Sequence, residues 1–578
     1  LLVEAEHGDY VFAHALVRQT IYRQLGSARR MRLHRQLGDA IEAIGDADAH
    51  VEVLTYHFAQ AAADGQGVKA ADYALVAGRR ATARLGHEEA AAHYERGLEA
   101  LALSGQPQAE RRCELLLALG KARWDAGEID KARQAYECAA GLAEQLGNAT
   151  ALARAALGFC GPHRGEVTEG VTRPVAVLLQ RALAALDEED GALRAQVMGR
   201  LGAVLAYTGI EQGKPVLARK ALEMARVVAD KATLADVLAS ALWATRSPDS
   251  VHEAVALAQE LGRVAHEVGD RRLQAMAHVR LLDHRLELGD IEAVERGVEA
   301  LQGLGDPRKE RYLRWVLAIV RARQVLMAGR LADYETLAHE AFAHGYEGHD
   351  EAARQVFDAQ MLVVRSIHGR HDELLQTVES LVAQYPQIIG CRCLLASVYV
   401  RLERWAQARQ QFEALAHRDF EDLPRDASWL SNLVTLSEVA ASLSDVRRAQ
   451  LLYALLLPYD DRCVLAGAVL CQGPAARPLG LLAATQSRFE DAERHFEQAL
   501  KMNAQIRSRL GTAQTQCDYA QMLLLRSHRH DNDKALDLLT AALATAEQLG
   551  LQALDDRARP LKLAAEAAGP PPVVPSTA

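Results

Sequence analysis

Residues 488–499, RFEDAERHFEQA, decide the fold of this chain together with Gly480 before them. Ala492 comes twelve residues after Gly480, and Phe496 comes four residues after Ala492. Small residues at such positions let two antiparallel helices approach closely, and an aromatic ring fills the gap beside them. Ala499, three residues after Phe496, extends the small-residue face. The stretch therefore predicts a helical hairpin.

The same spacing recurs along the chain and is the pattern of tetratricopeptide repeats. Good copies run from Gly120 to Tyr136 and from Gly78 to Tyr94. The small or apolar residue of each second helix serves as a marker, and the markers stand at positions 90, 132, 176, 218, 254, 294, 334, 374, 408, 449, 492 and 535. Their period is about 40 residues, longer than the roughly 34 of an ideal array. The sequence predicts an all-α, tetratricopeptide-like superhelical solenoid of about twelve helical hairpins.

The composition agrees with closely packed helices. Apolar residues make up 49% of the 578 residues and aromatic residues only 5%. This balance favours helices, because sheets depend on β-branched and aromatic side chains. The formal net charge is -10, so the chain lacks the basic balance of a dedicated nucleic-acid-binding module. We expect no direct nucleic-acid partner in this region.

Cysteine usage and hydropathy indicate the compartment. The eight cysteines include no CxxC pair, which favours a reducing environment. The longest apolar runs, such as 464–471, are far shorter than the roughly 20 residues of a membrane span. We therefore expect a cytoplasmic chain without a membrane partner. The first residues, LLVEAE, show neither an initiator Met nor a signal pattern, so we also expect a fragment of a longer protein.

Motifs that would give the chain its own chemistry are weak or missing. The sequence contains no GxxxxGK[ST] phosphate loop and no glycine-rich dinucleotide motif. His339 and His344 are one residue too far apart for a zinc-binding pair on one helix face, and Cys391 and Cys393 point to different faces. The polar stretch 528–533 fits a surface loop. We predict no catalytic residue, no metal site and no cofactor within this chain.

The amino-terminal segment carries a different signal. Residues 10–22, YVFAHALVRQTIY, fit the motif F-x-H-x-L-h-R-x-x-h-Y, in which h is apolar, and HFAQA at 57–61 and KAADY at 69–73 follow in order. This stretch resembles the segment just downstream of the nucleotide-binding module in bacterial signal-transduction ATPases of the STAND class. Segments of the array that look like the same family are PRDASW at 424–429, LPY at 457–459, LGLLA at 479–483 and CDYAQML at 517–523.

The resemblance implies a domain organisation. Residues 1–60 would be the end of a winged-helix-like element of the ATPase module, residues 61–568 the repeat array, and residues 569–578 a Pro-rich disordered tail. The chain would be the sensor and protein-interaction arm of a signal-transduction ATPase. ATP or ADP would be held by the upstream ATPase module, which would itself be a partner of the arm.

Proteins of that class differ in the output domain that is joined to the ATPase, so the resemblance leaves several outputs of the parent protein open. Large LuxR-type transcriptional regulators carry a DNA-binding domain, and this is the output that we expect. Other members carry a class III nucleotide cyclase (adenylate or guanylate) or a protein kinase domain, for which this chain would be a regulatory region. A stand-alone tetratricopeptide scaffold without an ATPase is the remaining alternative.

The resemblance also suggests a role for His14. In related switch ATPases the histidine of this element contacts the β-phosphate of bound ADP and holds the closed state. His14 would then sense the nucleotide of the missing module. The alternative is that His14 only packs within the winged element.

Residues 458–478 form an apolar, glycine-bearing insert between two repeats. The concave surface of such an array binds protein or peptide partners, or small effectors. We predict a candidate surface for an acidic or planar ligand, formed by Arg425, Trp429, Tyr459, Arg462 and Arg477. The alternative, which we favour, is that Val464–Cys471 fills the space between adjacent hairpins.

Overall fold

The structure is a computed structural model in which the chain forms two compact units, Leu1–Val204 and Leu205–Ala578. It describes residues 2–4, 10–12, 15–45, 48–105, 107–161, 169–189, 191–206, 214–306, 311–345, 350–386 and 388–568. Within these ranges no helix is long and apolar enough to cross a membrane.

The first unit begins with a two-stranded antiparallel sheet followed by helices. Strand β1 (Leu2–Glu4) pairs with β2 (Tyr10–Phe12), with Leu2 opposite Phe12. The helices are α1 (Ala15–Gln24), α2 (Ser27–Ala43), α3 (Val51–Gln60), α4 (Gly67–Ala83), α5 (His87–Leu103), α6 (Ala109–Asp125), α7 (Ile129–Gln145), α8 (Ala149–Cys160), α9 (Glu169–Ala185) and α10 (Gly191–Leu205), with a 3-10 helix at Ala62–Asp64.

In its described residues, the second unit consists of helices with a β-hairpin inserted after α23. The helices are α11 (Lys214–Val228), α12 (Lys231–Ala244), α13 (Val251–Glu267), α14 (Arg271–Glu287), α15 (Ile291–Gly303), α16 (Arg311–Met327), α17 (Leu331–His344), α18 (Asp350–Ile367), α19 (His371–Gln384), α20 (Ile389–Arg401), α21 (Trp405–Leu415), α22 (Trp429–Ser442), α23 (Val446–Leu456), α24 (Ala476–Thr485), α25 (Phe489–Gln505), α26 (Arg509–Arg526), α27 (Asp531–Leu549) and α28 (Gln552–Ala568), with 3-10 helices at His417–Phe420 and Leu457–Tyr459. Strands β3 (Cys463–Ala466) and β4 (Leu470–Pro474) are antiparallel.

The predicted repeat is present in both units, and the all-α, tetratricopeptide-like fold is confirmed. Each marker residue is buried in the second helix of a helical pair, including those between 150 and 260, where the sequence pattern is poor. The buried markers are Ala90, Ala132, Ala176, Ala218, Ala254, Val294, Tyr334, Leu374, Ala408, Ala449, Ala492 and Ala535. The period of about 40 residues therefore reflects helices of 10 to 19 residues, most of them joined by short turns.

The glycines of the repeat allow the close helix contact that the sequence predicts. A Cβ atom on Gly480 in α24 would lie 2.8 Å from Cε1 of Phe496 in α25. In the first unit, a Cβ atom on Gly78 would lie 2.3 Å from a ring carbon of Tyr94. Only a residue without a side chain permits these distances, because carbon atoms in ordinary contact are about 3.5–4.0 Å apart. The aromatic ring thus occupies the space that the missing Cβ leaves.

The array in the second unit curves far enough for distant repeats to meet. Gln505 at the end of α25 donates a hydrogen bond from Nε2 to the carbonyl of Gly289, at 2.9 Å, and Arg507 pairs with Glu295. The turn at Gly329 lies against Leu549, and its φ of +82° favours glycine. The turns after α14 and α16 therefore abut the loops that follow α25 and α27.

The β3–β4 hairpin fills part of the interior that this curvature encloses. Cys463 and Cys471 belong to one apolar cluster with Leu282 of α14, Leu317 of α16 and Ile506. Val464 is 1% exposed. The insert contacts helices of neighbouring repeats, such as α22 and α25, and also α14 and α16 of distant repeats, whereas the favoured alternative for Val464–Cys471 placed it only between adjacent hairpins. The sequence did not predict that it would do so as a pair of strands.

The predicted domain boundaries stay predictions. The structure describes β1, β2 and α1–α3 within residues 1–60, and helices throughout most of residues 61–568. The Pro-rich tail, 569–578, lies outside the described residues.

Candidate functional site

Four of the residues predicted to line a ligand surface lie together in the second unit. Arg425 lies in the loop before α22, Trp429 is the first residue of α22, Tyr459 ends a 3-10 helix, and Arg462 immediately precedes β3. They surround Asp249, in the turn between α12 and α13, and we call these five residues the Asp249 cluster.

The polar groups of the Asp249 cluster satisfy one another. The Arg425 guanidinium pairs with the Asp249 carboxylate at 2.8 Å, and the Tyr459 hydroxyl donates to the same carboxylate at 2.5 Å. The guanidinium also lies 4.4 Å from the centre of the Trp429 ring. Arg462 donates to the Pro248 carbonyl at 3.1 Å. The arginines of the cluster therefore bind groups of this chain.

The titration behaviour of the cluster follows from these contacts. Burial raises the pKa of Tyr459 to about 12, and the hydrogen bond to Asp249 adds to this effect. Burial alone would raise the pKa of Asp249, but the hydrogen bonds from Tyr459 and Arg425 outweigh it and hold the pKa below its usual value. Asp249 is thus a stable carboxylate that links the α12–α13 turn to the segment before α22.

The space beside the Asp249 cluster is small. A cavity of about 70 Å³ adjoins it, lined among others by Pro248, Glu287 and Cys463. Small-molecule sites usually need about 300–1,000 Å³. The geometry favours a clamp between repeats at this place, and a ligand-binding role of Arg425, Trp429, Tyr459 and Arg462 stays a prediction.

Arg477, the fifth predicted residue, lies in α24 beside a much larger cavity. This cavity has a volume of about 860 Å³, and its lining comes from the end of α18, the start of α19, and from α20, α22, α24, α26 and α28. All of these elements belong to the second unit. The first helices of successive hairpins therefore form its wall.

A row of alternating charges runs along this wall, and we call Glu438, Arg477, Asp518 and Arg557 the charge ladder. Arg477 pairs with Glu438 on one side and with Asp518 on the other, the latter at 2.7 Å. Asp518 also pairs with Arg557. Arg477 and Asp518 are both buried, so each neutralises a charge that would otherwise be costly to bury.

The charge ladder holds its members ionised. Burial alone would lower the pKa of Arg477, but Glu438 and Asp518 outweigh it and raise the pKa above the usual value. Burial alone would raise the pKa of Asp518, but Arg557 and Arg477 outweigh it and hold the pKa below its usual value. The ladder is therefore a fixed, charged feature of the cavity wall at neutral pH.

Sequence reasoning identified only Arg477 in the charge ladder. A usable signal was present, because Arg477 lies 39 residues after Glu438 and 41 before Asp518, while Arg557 lies 39 after Asp518. These separations match the repeat period. Charges that alternate in sign at that period predict ion pairs between neighbouring first helices, and a search for them would have found the ladder.

His14 lies outside the described residues. Across the described ranges, no group of three or more His, Cys, Asp or Glu side chains is arranged to hold a metal ion.

Comparisons with known proteins identify no family for this chain. No protein-family model and no curated protein matches the chain. A chain of the crystal structure of the APC/C hetero-tetramer Cut9–Hcn1 is 14% identical, with 86% of this chain and 92% of that chain covered and a TM-score of 0.41. The crystal structure of yeast Tom70 is 15% identical, with 86% and 96% covered and a TM-score of 0.28. At these scores neither similarity carries an inference about partners or activity.

Proposed function

We propose that this chain is the sensor and protein-interaction arm of a bacterial, cytoplasmic signal-transduction ATPase of the STAND class, with a transcriptional output. The observation that carries the binding role is the partly open cavity of about 860 Å³ between repeats of the second unit. A volume of this size suits a small effector, and the helices around it offer both charged and apolar side chains. The ATPase context rests on the motif at residues 10–22.

The proposed mechanism is coupling between effector binding and the nucleotide state. The cavity is lined by α18 and α19 on one side and by α28 on the other, so an effector inside it contacts repeats that are far apart in sequence. Binding would favour one curvature of the array over another. A ligand shifts such an equilibrium only by its difference in affinity for the two states. The shift would then reach the ATPase module through residues 1–60.

In this proposal the chain itself is not an enzyme and holds no cofactor. ATP or ADP belongs to the upstream module, and His14 would sense it there. A protein or peptide partner would use the concave surface of the array, without nucleic acid or membrane.

Two measurements test the proposal. Reading the gene upstream of Leu1 should reveal a GxxxxGK[ST] phosphate loop within the same reading frame. Titration of residues 1–578 with a fluorescent ATP analogue should show no binding, whereas the full-length protein should bind it. A start codon directly before Leu1, or tight ATP binding by residues 1–578 alone, would refute the ATPase-arm assignment.

The same sequencing separates the alternatives. A cyclase or kinase core beyond the phosphate loop would make this chain a regulatory region of that enzyme. A helix-turn-helix segment downstream of Ala578 would support the transcriptional output.

A further inference from the structure

The large cavity of the second unit is surrounded by protein on several sides. A curved wall is formed by helices α20, α22, α24, α26 and α28. The end of α18 contacts α28, the last helix of this wall. At this closure the turn at Gly369 approaches the backbone of Ala553. The cavity is partly open to solvent, but the contact between α18 and α28 closes one side of it, so it suits a compact ligand better than a long extended peptide.

Arg401, at the end of α20, is an arginine of this cavity without a partner. Its side chain is exposed to the cavity, and in the described part of the chain it has no hydrogen bond or ion pair. Glu438, the carboxylate that influences it most, is already paired with Arg477. The enclosed surroundings lower the pKa of Arg401, and Arg557 and Arg477 add to this effect.

The charges at the cavity wall therefore do not balance around Arg401. Within the charge ladder, Glu438 and Asp518 are paired with Arg477 and Arg557, so Arg401 has no counter-charge there, although the whole cavity lining holds four carboxylates against three arginines. Two other carboxylates line the cavity. Glu403 is exposed in the turn after α20, and Asp556 is exposed in α28, where it accepts a hydrogen bond from Gln552. Neither is an ion-pair partner of Arg401 or a main influence on it.

Two further polar atoms, in residues that line the cavity, lack hydrogen-bond partners and are shielded from solvent. Nδ1 of His371, at the start of α19, and Nε of Arg477 are both buried without a hydrogen-bond partner. Burial lowers the pKa of His371, with Arg401 adding to the effect, so the ring is neutral and can donate or accept one hydrogen bond. An oxyanion beside Arg401 would supply its counter-charge and would accept hydrogen bonds from its guanidinium.

The remaining wall of the cavity is largely apolar. Leu481 and Ala484 of α24, Met522 and Leu525 of α26 and Leu561 of α28 face the same space. The cavity thus combines one unpaired cation with an aliphatic surface.

We propose that this cavity binds an amphipathic organic anion, a small molecule with one carboxylate or phosphate group on an aliphatic body. Arg401 pairs with the oxyanion, and the leucine and methionine side chains of α24, α26 and α28 contact the aliphatic part. The inference deepens the proposed function by naming the class of effector, and it rests on that function only for its signalling consequence.

Calorimetric titration of residues 1–578 with decanoate tests the proposal. Decyl phosphate separates a phosphate from a carboxylate headgroup, and decanol presents the same chain without charge. The informative variant is Arg401→Gln, which removes the charge of an exposed and unpaired side chain and should leave the fold intact. Arg404→Gln is the matched control, because Arg404 lies three residues away, is exposed and does not line the cavity.

We expect decanoate or decyl phosphate to bind the native protein and the Arg404→Gln variant equally. Binding to the Arg401→Gln variant should be weaker by about tenfold or more, the usual effect of a hydrogen bond between charged groups. Decanol should bind more weakly, and the Arg401→Gln change should not affect it.

Several outcomes would overturn the proposal. They are no binding of either anion, equal binding by the Arg401→Gln variant, and decanol binding as tightly as the anions. A decapeptide with a free carboxyl terminus is a further comparison. If it binds more tightly than decanoate and depends on Arg401 in the same way, the ligand of the cavity is a peptide and the small-molecule proposal is wrong. A missing upstream phosphate loop would remove the ATPase assignment but leave the measured anion site intact, so the two failures are distinguishable.

Discussion

Gly78→Ala is the sharpest test of how the helices of this array contact each other. A methyl group at Gly78 in α4 would lie 2.3 Å from Cε1 and 2.4 Å from Cζ of Tyr94 in α5. These distances fall short of ordinary carbon contacts by about 1 Å or more. Tyr94 is only 3% exposed, so its ring has no solvent to move into. The substitution should therefore push α4 and α5 apart.

The expected magnitude follows from two opposing effects. Overfilling a packed interior costs about 1–3 kcal/mol, and an overlap this severe against a buried ring belongs at the upper end. Alanine in place of glycine inside a helix contributes about 0.5–1 kcal/mol of stability. The net expectation is a loss of about 2 kcal/mol in the local free energy of opening.

Native-state hydrogen exchange of peptides from α4 and α5 is the appropriate assay, because a repeat array does not unfold as one two-state unit. Gly141→Ala is the control, since Gly141 lies inside α7 and a Cβ there would have no heavy atom within 4 Å. It should stabilise its helix by about 0.5–1 kcal/mol. Equal stabilisation by Gly78→Ala would refute the close-contact reasoning.

Two further predictions concern buried charge and pH. Asp518→Asn should lower the local free energy of opening of α24 and α26 by about 3 kcal/mol in native-state hydrogen exchange, because it leaves Arg477 and Arg557 without their shared carboxylate. Acidification from pH 7.5 to pH 5 should destabilise α2 and α3. These helices contact each other through His34 and His57, whose Nδ1 atoms lie 2.8 Å apart. Burial lowers the pKa of both rings, so their stabilising contribution is present above about pH 6.5 and is lost as the pH falls through the lowered values.

Each of these predictions has a matched control. Asp556→Asn removes the charge of an exposed carboxylate in the same cavity and should lower the local stability by less than about 1 kcal/mol. An equally small loss of stability in Asp518→Asn would contradict the stabilising role of the charge ladder. His57→Asn should reduce the pH dependence, measured as exchange protection in α2 and α3, whereas His50→Asn at an exposed site should not. An unchanged pH profile in the His57→Asn variant would contradict the second prediction.

The repeat could be predicted from the sequence because its determinants are local. Gly480, Ala492 and Phe496 fall within one hairpin, and their spacing alone specifies which helix faces meet. The same rule placed Ala176 and Ala218 in second helices even where neighbouring residues match poorly. The hairpin β3–β4 escaped prediction, because a short apolar run such as 464–471 fits a strand as well as a helix.

The candidate site was predictable only in part. Arg477 and its ladder partners stand one repeat period apart, so neighbouring repeats bring them together by regular stacking. Arg425 and Asp249 are 176 residues apart, and no local pattern relates them. Arg401 likewise shows nothing in the sequence that separates it from the paired arginines.

The sequence by itself thus determined the helical hairpins, their period and the small-residue contacts, since these depend on residues within one or two repeats. The tertiary structure alone decided that Arg425 binds Asp249, that Val464 is buried among distant helices and that Arg401 faces a large cavity. The physical reason is that the curvature of a solenoid is the sum of small rotations over many repeats. A slight change in each rotation, invisible in any one repeat, decides which repeats meet.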